Sequence, residues 1–120
     1  MATGLDNLKI YKVAEELELK VHELTKNYPK DEKYRSIDQL RRSSSAVTNN
    51  IAEAYNKRSI KEKTHILRDI AKCEAEGTKR NLIRCSKKGF DIDKSLLIAE
   101  EYTGLIKMIS GYIRFLNADL

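Results

Sequence analysis

The chain has 120 residues, 41% of them hydrophobic and 34% charged, with a net charge of +5. One proline and five glycines are too few turn residues for an all-β sandwich of this length, and no apolar run approaches the ~20 residues that span a bilayer. That leaves an all-α fold for one domain over residues 1–120. The start, MATGLDNLKI, lacks the apolar stretch of a signal peptide, so a soluble, cytoplasmic protein is expected.

The first helix is expected over about Asp6 to Asn27. Ile10, Ala14, Leu17, Val21, Leu24 and Tyr28 recur there at steps of four and three, the seam of a helix in a bundle. Pro29 disfavours helical geometry in the residue before it and sets the end. The second helix follows from Pro29 to Asn56. Asp31 and Glu32 suit its positive end, and Ile37, Leu40, Ser44, Val47, Ile51 and Tyr55 form its seam. Ser59 and Glu62 have the spacing of a capping box ahead of a third helix from Ile60 to about Lys88, which Gly89 closes in a left-handed turn. Asp91 is the expected cap of a fourth helix, buried through Leu96, Ala99, Tyr102/Thr103, Ile106, Ile109, Ile113 and Leu116. Short links make successive helices antiparallel, so the four pack as an up-down-up-down four-helix bundle.

Little in the chain points to catalysis. Glu62 and His65 have the local spacing of a di-iron bundle's ligand pair, but no other helix supplies a second pair, so no metal or other cofactor is expected. P-loop, GxGxxG and GxSxG patterns are absent, and the run Ser43-Ser44-Ser45 has no base nearby. Cys73 and Cys85 are twelve apart, ~18 Å along one helix, beyond disulfide reach, and read as two small, partly buried thiols.

Charge is more informative. Residues 35–88 hold 14 basic and 6 acidic groups, +8, while the segments before and after carry −1 and −2. Such asymmetry invites an anionic partner, nucleic acid first. At 100° per residue, Lys61, Arg68, Lys72 and Lys79 fall on one stripe of the third helix, with His65 beside it and Glu76 near its edge. No aromatic side chain interleaves the stripe, so it suits phosphate contacts rather than base readout. The same geometry turns Glu74, Asn81 and Arg84 inward around Gly77, as a polar layer fixing register. On the second helix, Arg42, Ala46, Asn49 and Glu53 line the side opposite the core seam, flanked by Gln39 and Asn50. A small residue at the centre of such a stripe lets another helix approach, which suggests a subunit contact. Arg42 and Glu53 are too far apart to meet within one helix and are expected to pair between subunits.

The segment from Gln39 to Glu53, QLRRSSSAVTNNIAE, resembles the signature of the four-helix bundle proteins encoded in intervening sequences of bacterial large-subunit rRNA genes. Tyr28-Pro29 with Glu32 and Tyr34 is similar to that family's aromatic-Pro-x-x-Glu link, and Ile70-Ala71 to its Ile-Ala step. The chain departs from the pattern at Ala54, Cys73-Glu74 and Gly77, where the family usually has Gly, Gly-Ser and an acid. The resemblance spans Leu8 to Leu116 and implies a four-helix bundle, a homopentamer and no settled activity. A more distant likeness, of fold alone, is to the nucleic-acid-binding accessory protein of diversity-generating retroelements. The combined expectation is a non-enzymatic homo-oligomer that binds RNA or DNA through Lys61, Arg68, Lys72 and Lys79 and assembles through Gln39, Arg42, Ala46, Asn49, Asn50 and Glu53. The alternative is a protein-interaction scaffold that binds no nucleic acid.

Overall fold

The computed structural model describes residues 4–119. It is an all-α four-helix bundle, elongated along one axis, 48 Å by 29 Å by 21 Å. The first helix is Lys9–Thr25 and the second Asp38–Asn56. The third runs as Ile60–Ile66, a π turn at Leu67–Ala71, and Lys72–Lys87, without a break; the fourth is Ile92–Asn117. Each helix packs on the next and the fourth closes on the first. Side-chain bonds fix the antiparallel order. Arg41, near the start of the second helix, donates from Nε to Thr25 Oγ1 (2.9 Å) and from Nη2 to the His22 carbonyl (3.3 Å), at the end of the first. Lys63, near the start of the third, donates to the Tyr55 carbonyl (2.7 Å) at the end of the second. Asn117, at the end of the fourth, donates to Thr64 Oγ1 (3.0 Å) near the start of the third. Arg41 and Lys63 thus cap helix C-termini, whose carbonyls lack intrahelical partners.

All six seam residues of the first helix are buried. The second helix starts later than its sequence suggests. Pro29 is extended, and a 3₁₀ turn at Lys30–Glu32 and a π turn at Lys33–Ile37 intervene, with a non-helical backbone at Arg35. The Glu32 carboxylate accepts from the Ser36 N–H (3.3 Å), offering that donor an alternative to the helical ladder. Farther along, Leu40, Ser44, Val47 and Ile51 are buried as expected, but Ala54 takes the place assigned to Tyr55, which lies at the surface. Ser59 caps the third helix by accepting from the Glu62 N–H (3.1 Å). The Glu62 carboxylate reaches back to the Ser59 hydroxyl (3.1 Å) rather than completing the box at the backbone.

At its far end, Gly89 has φ +88, and the Phe90 N–H reaches the Cys85 carbonyl (2.9 Å) while the Gly89 N–H reaches Ser86 (2.9 Å), the paired bonds of a Schellman turn. Asp91 precedes the fourth helix in a left-handed conformation and makes no side-chain cap; its carbonyl, not its carboxylate, engages the Ser95 N–H. Ser95 displaces Leu96 from the expected seam. It is fully buried, donates to the Phe90 carbonyl (2.8 Å) and pairs with the Tyr28 hydroxyl (2.7 Å), joining the first and third links. Burial raises the Tyr28 hydroxyl pKa above its ordinary value. Ser95→Ala leaves both partners without that oxygen, and urea unfolding should show a loss of ~1–3 kcal/mol.

The π turn is the structural feature with most consequence. A π turn holds one residue more than an α turn, so everything beyond it rotates by roughly 100°. The buried positions after it are Ala71, Ala75, Thr78, Leu82 and Cys85. An uninterrupted α period instead selects Ile70, Glu74, Gly77, Asn81 and Arg84, one residue early each time. Ile70, Cys73, Gly77 and Arg84 are in fact exposed and Glu74 is half-buried. Of the expected inward layer only Asn81 is buried, and it donates to Gln39 Oε1 (3.4 Å). The polar bridge to the second helix comes from Thr78, which is fully buried and donates to Ser43 Oγ (2.7 Å). Of the two free thiols, Cys85 is buried and Cys73 is exposed.

Candidate nucleic-acid interface

The same rotation sorts the basic residues of the third helix. Lys61 and His65 precede the π turn and line a groove of about 680 Å³ shared with Glu53 of the second helix and Lys57 just past its end. Lys79 follows it and lines a different groove, about 370 Å³, with Arg80 of its own helix and Thr103, Ile106 and Lys107 of the fourth. The four cations of the expected stripe therefore divide between two sides of the helix. Lys72 lies seven residues before Lys79, on the same side of the helix.

Arg68, inside the π turn, is held by a carboxylate that the stripe did not include. Its Nε and Nη2 donate to the two oxygens of Asp69 (3.0 and 3.1 Å), and His65 Nδ1 lies 2.8 Å from Asp69 Oδ2. Hydrogen bonding from Arg68, assisted by His65, keeps the Asp69 carboxyl below its usual range, and the same pair raises Arg68. Phosphate contact at Arg68 has to compete with this bond. Lys61, Lys72 and Lys79 have no carboxylate within ion-pair distance among the described residues. Arg80 faces Glu76 at a loose 3.9 Å. Arg84 and Lys87 continue the exposed side toward the end of the helix.

The outward stripe of the second helix lies at the surface, with Gln39, Arg42, Asn49 and Glu53 exposed and Ala46 and Asn50 partly covered. Its polar groups find partners within the chain. Arg42 Nε is 3.1 Å from Asp38, Glu53 4.0 Å from Lys57, and the side-chain amides of Asn49 and Asn50 donate to Ser45 Oγ (3.3 Å) and the Ala46 carbonyl (2.8 Å). Arg42 and Glu53 each have a partner one helical turn away, so neither depends on another subunit to be paired.

A third surface feature is apolar. Leu19 and Leu97, each 61% exposed, stand over Leu24 and Ile98 in a groove of about 570 Å³ between the first and fourth helices, and Lys20 and Glu101 bridge its rim at 2.7 Å. Leu19 and Leu97, both outside the expected seams, were its traces in the sequence. Arg80 and Lys107 could be found only once the phase of the third helix and its fourth-helix neighbour were known. Among the described residues no helix is long and apolar enough to cross a membrane, and no three or more His, Cys, Asp and Glu side chains gather as metal ligands.

Helix order, the closing turns and the polar bridges between helices define a small antiparallel four-helix bundle with a basic third helix. The family model for the 23S rRNA-intervening sequence protein matches residues 6–111, and the chain belongs to that family. No curated protein matches it.

Proposed function

We propose that the chain is a non-enzymatic, self-associating cytoplasmic module that binds RNA or DNA through phosphate contacts on the side of its third helix that borders the fourth. The observation that carries this reading is the groove lined by Lys79, Arg80 and Lys107, with Lys72 two turns back and Glu76 the one carboxylate among the lining residues. Lysine and arginine heads placed this way neutralise phosphates and release condensed counterions, which drives binding without reading sequence. Arg41 and Lys63 add to the net charge but are committed to helix ends, so they are not counted among the contacts. Retardation of both an RNA and a duplex DNA of unrelated sequence at about 50 mM salt tests the reading, because contacts of this kind are strongest there. Failure to retard either removes it.

Self-association, which the family resemblance extends to a pentamer, is assigned to the outward stripe of the second helix. Ala46 sits at its centre, and Ala46→Arg would put bulk and like charge beside Arg42. Sedimentation velocity should then show dissociation or aggregation; an unchanged oligomer would move the contact elsewhere. The second reading is a protein-interaction scaffold. The groove between the first and fourth helices favours it, since exposed leucines over an apolar floor are characteristic of protein contact. A chain that binds neither RNA nor DNA would leave that reading standing.

A further inference from the structure

At the end of the bundle that carries the first and third links, one aromatic ring stands clear of the core. Tyr34 is 84% exposed. The segment bearing it is fixed on both sides. Before it, Tyr28 is buried, its ring centroid 5.5 Å from that of Phe90. After it, Ser36 is buried and its N–H is held by Glu32. Between these anchors the backbone departs from helical values at Arg35 (φ −122, ψ −107), and Tyr34 stays outside instead of folding onto the helix. A ring held outward on a fixed frame loses little freedom when something stacks on it.

Its chain neighbours are Lys30, Lys33 and Arg35, interspersed with the exposed Asp31 and the half-buried Glu32. Lys33 Nζ lies 5.4 Å from the Tyr34 ring centroid. Lys30, Lys33 and Arg35 are exposed, and none has a carboxylate within ion-pair distance among the described residues. Glu32, the nearest half-buried acid, is engaged by Ser36, and Lys88 and Arg35 also act on its charge, so the end of the third helix brings a further cation to this link. An exposed aromatic face among lysine and arginine heads is the local arrangement with which proteins hold single strands. The ring stacks on a base and the cations take the flanking phosphates.

We propose that Tyr34 is a stacking platform for an unpaired nucleobase, with Lys30, Lys33 and Arg35 contacting the adjoining phosphates. The proposal rests on the phosphate-binding reading and adds what the third helix lacks, a means of preferring single strands. In a duplex the base faces are already stacked, so Tyr34 has nothing to cover.

The chain contains no tryptophan, so Tyr34→Trp places a lone emitter at this position. Probes are an oligothymidylate of about 20 nucleotides, a duplex DNA of equal length and inorganic polyphosphate, at about 50 mM salt. Oligothymidylate should quench the indole emission of this variant, and polyphosphate, which supplies charge without bases, should not. Tyr34→Ala should weaken oligothymidylate binding by about 5- to 150-fold, the range for one stacked base, and leave duplex binding unchanged. If wild type binds both nucleic acids and Tyr34→Ala binds oligothymidylate equally well, stacking is overturned and the phosphate reading survives. Equal quenching by polyphosphate also overturns stacking. If wild type binds neither nucleic acid, both readings fall together.

Discussion

Deletion of Gly77 is expected to unfold the chain, whereas deletion of Ile70, seven residues earlier in the same helix, is expected to cost less than ~1 kcal/mol. Both residues are exposed, and neither loss removes a fully buried side chain. The difference lies in phase. Ile70 is within the π turn, which already holds one residue more than an α turn. Removing it converts the turn to α geometry and keeps Ile66 and Leu67 on one side, and Ala71 through Cys85 on the other, facing the core. No such slack exists around Gly77. Its removal rotates Thr78, Leu82 and Cys85 by roughly 100° against Leu67, Ala71 and Ala75. Loss of a buried leucine alone costs ~2–5 kcal/mol, against a total stability of ~5–15 kcal/mol for a domain. The Thr78–Ser43 bond goes with it. Circular dichroism and urea unfolding of the two deletions distinguish the cases. Equal destabilisation would mean that the π turn is not what sets the phase of the third helix.

That turn also marks where sequence reading stops. The core face of the first helix was legible because a regular α period runs through it unbroken: its six seam residues are all buried, and only Thr25, a polar residue, joins them unforeseen. The capping serine Ser59 and the closing Gly89 were legible because each is a local choice of residue made by a few backbone bonds. Nothing in Leu67–Ala71 announces a π turn, since its residues are ordinary helix formers and the extra residue is accommodated by packing against the second helix. Every inference that carried an angle across it, the inward polar layer and the single basic stripe, inherited the error. Leu96 was misread for a different reason. Hydrophobicity favours leucine over serine at a core position, but Ser95 satisfies two buried polar groups that leucine cannot. The Asp69–Arg68 bond was hidden because adjacent residues on a regular helix do not face each other, and the wider turn brings them together.

The salt dependence of duplex DNA binding tests the central functional claim most directly. Four phosphate contacts through Lys72, Lys79, Arg80 and Lys107 give a log–log slope of roughly −3.6 per protomer, so affinity should fall about 150-fold between 50 and 200 mM salt. Changing all four to glutamine should bring the slope toward zero while the circular dichroism spectrum and the sedimentation coefficient stay as in the wild type. Lys61→Gln, on the other side of the helix, should leave the slope unchanged. A quadruple variant that keeps the wild-type slope would contradict the claim, as would a wild-type protein whose affinity does not change with salt.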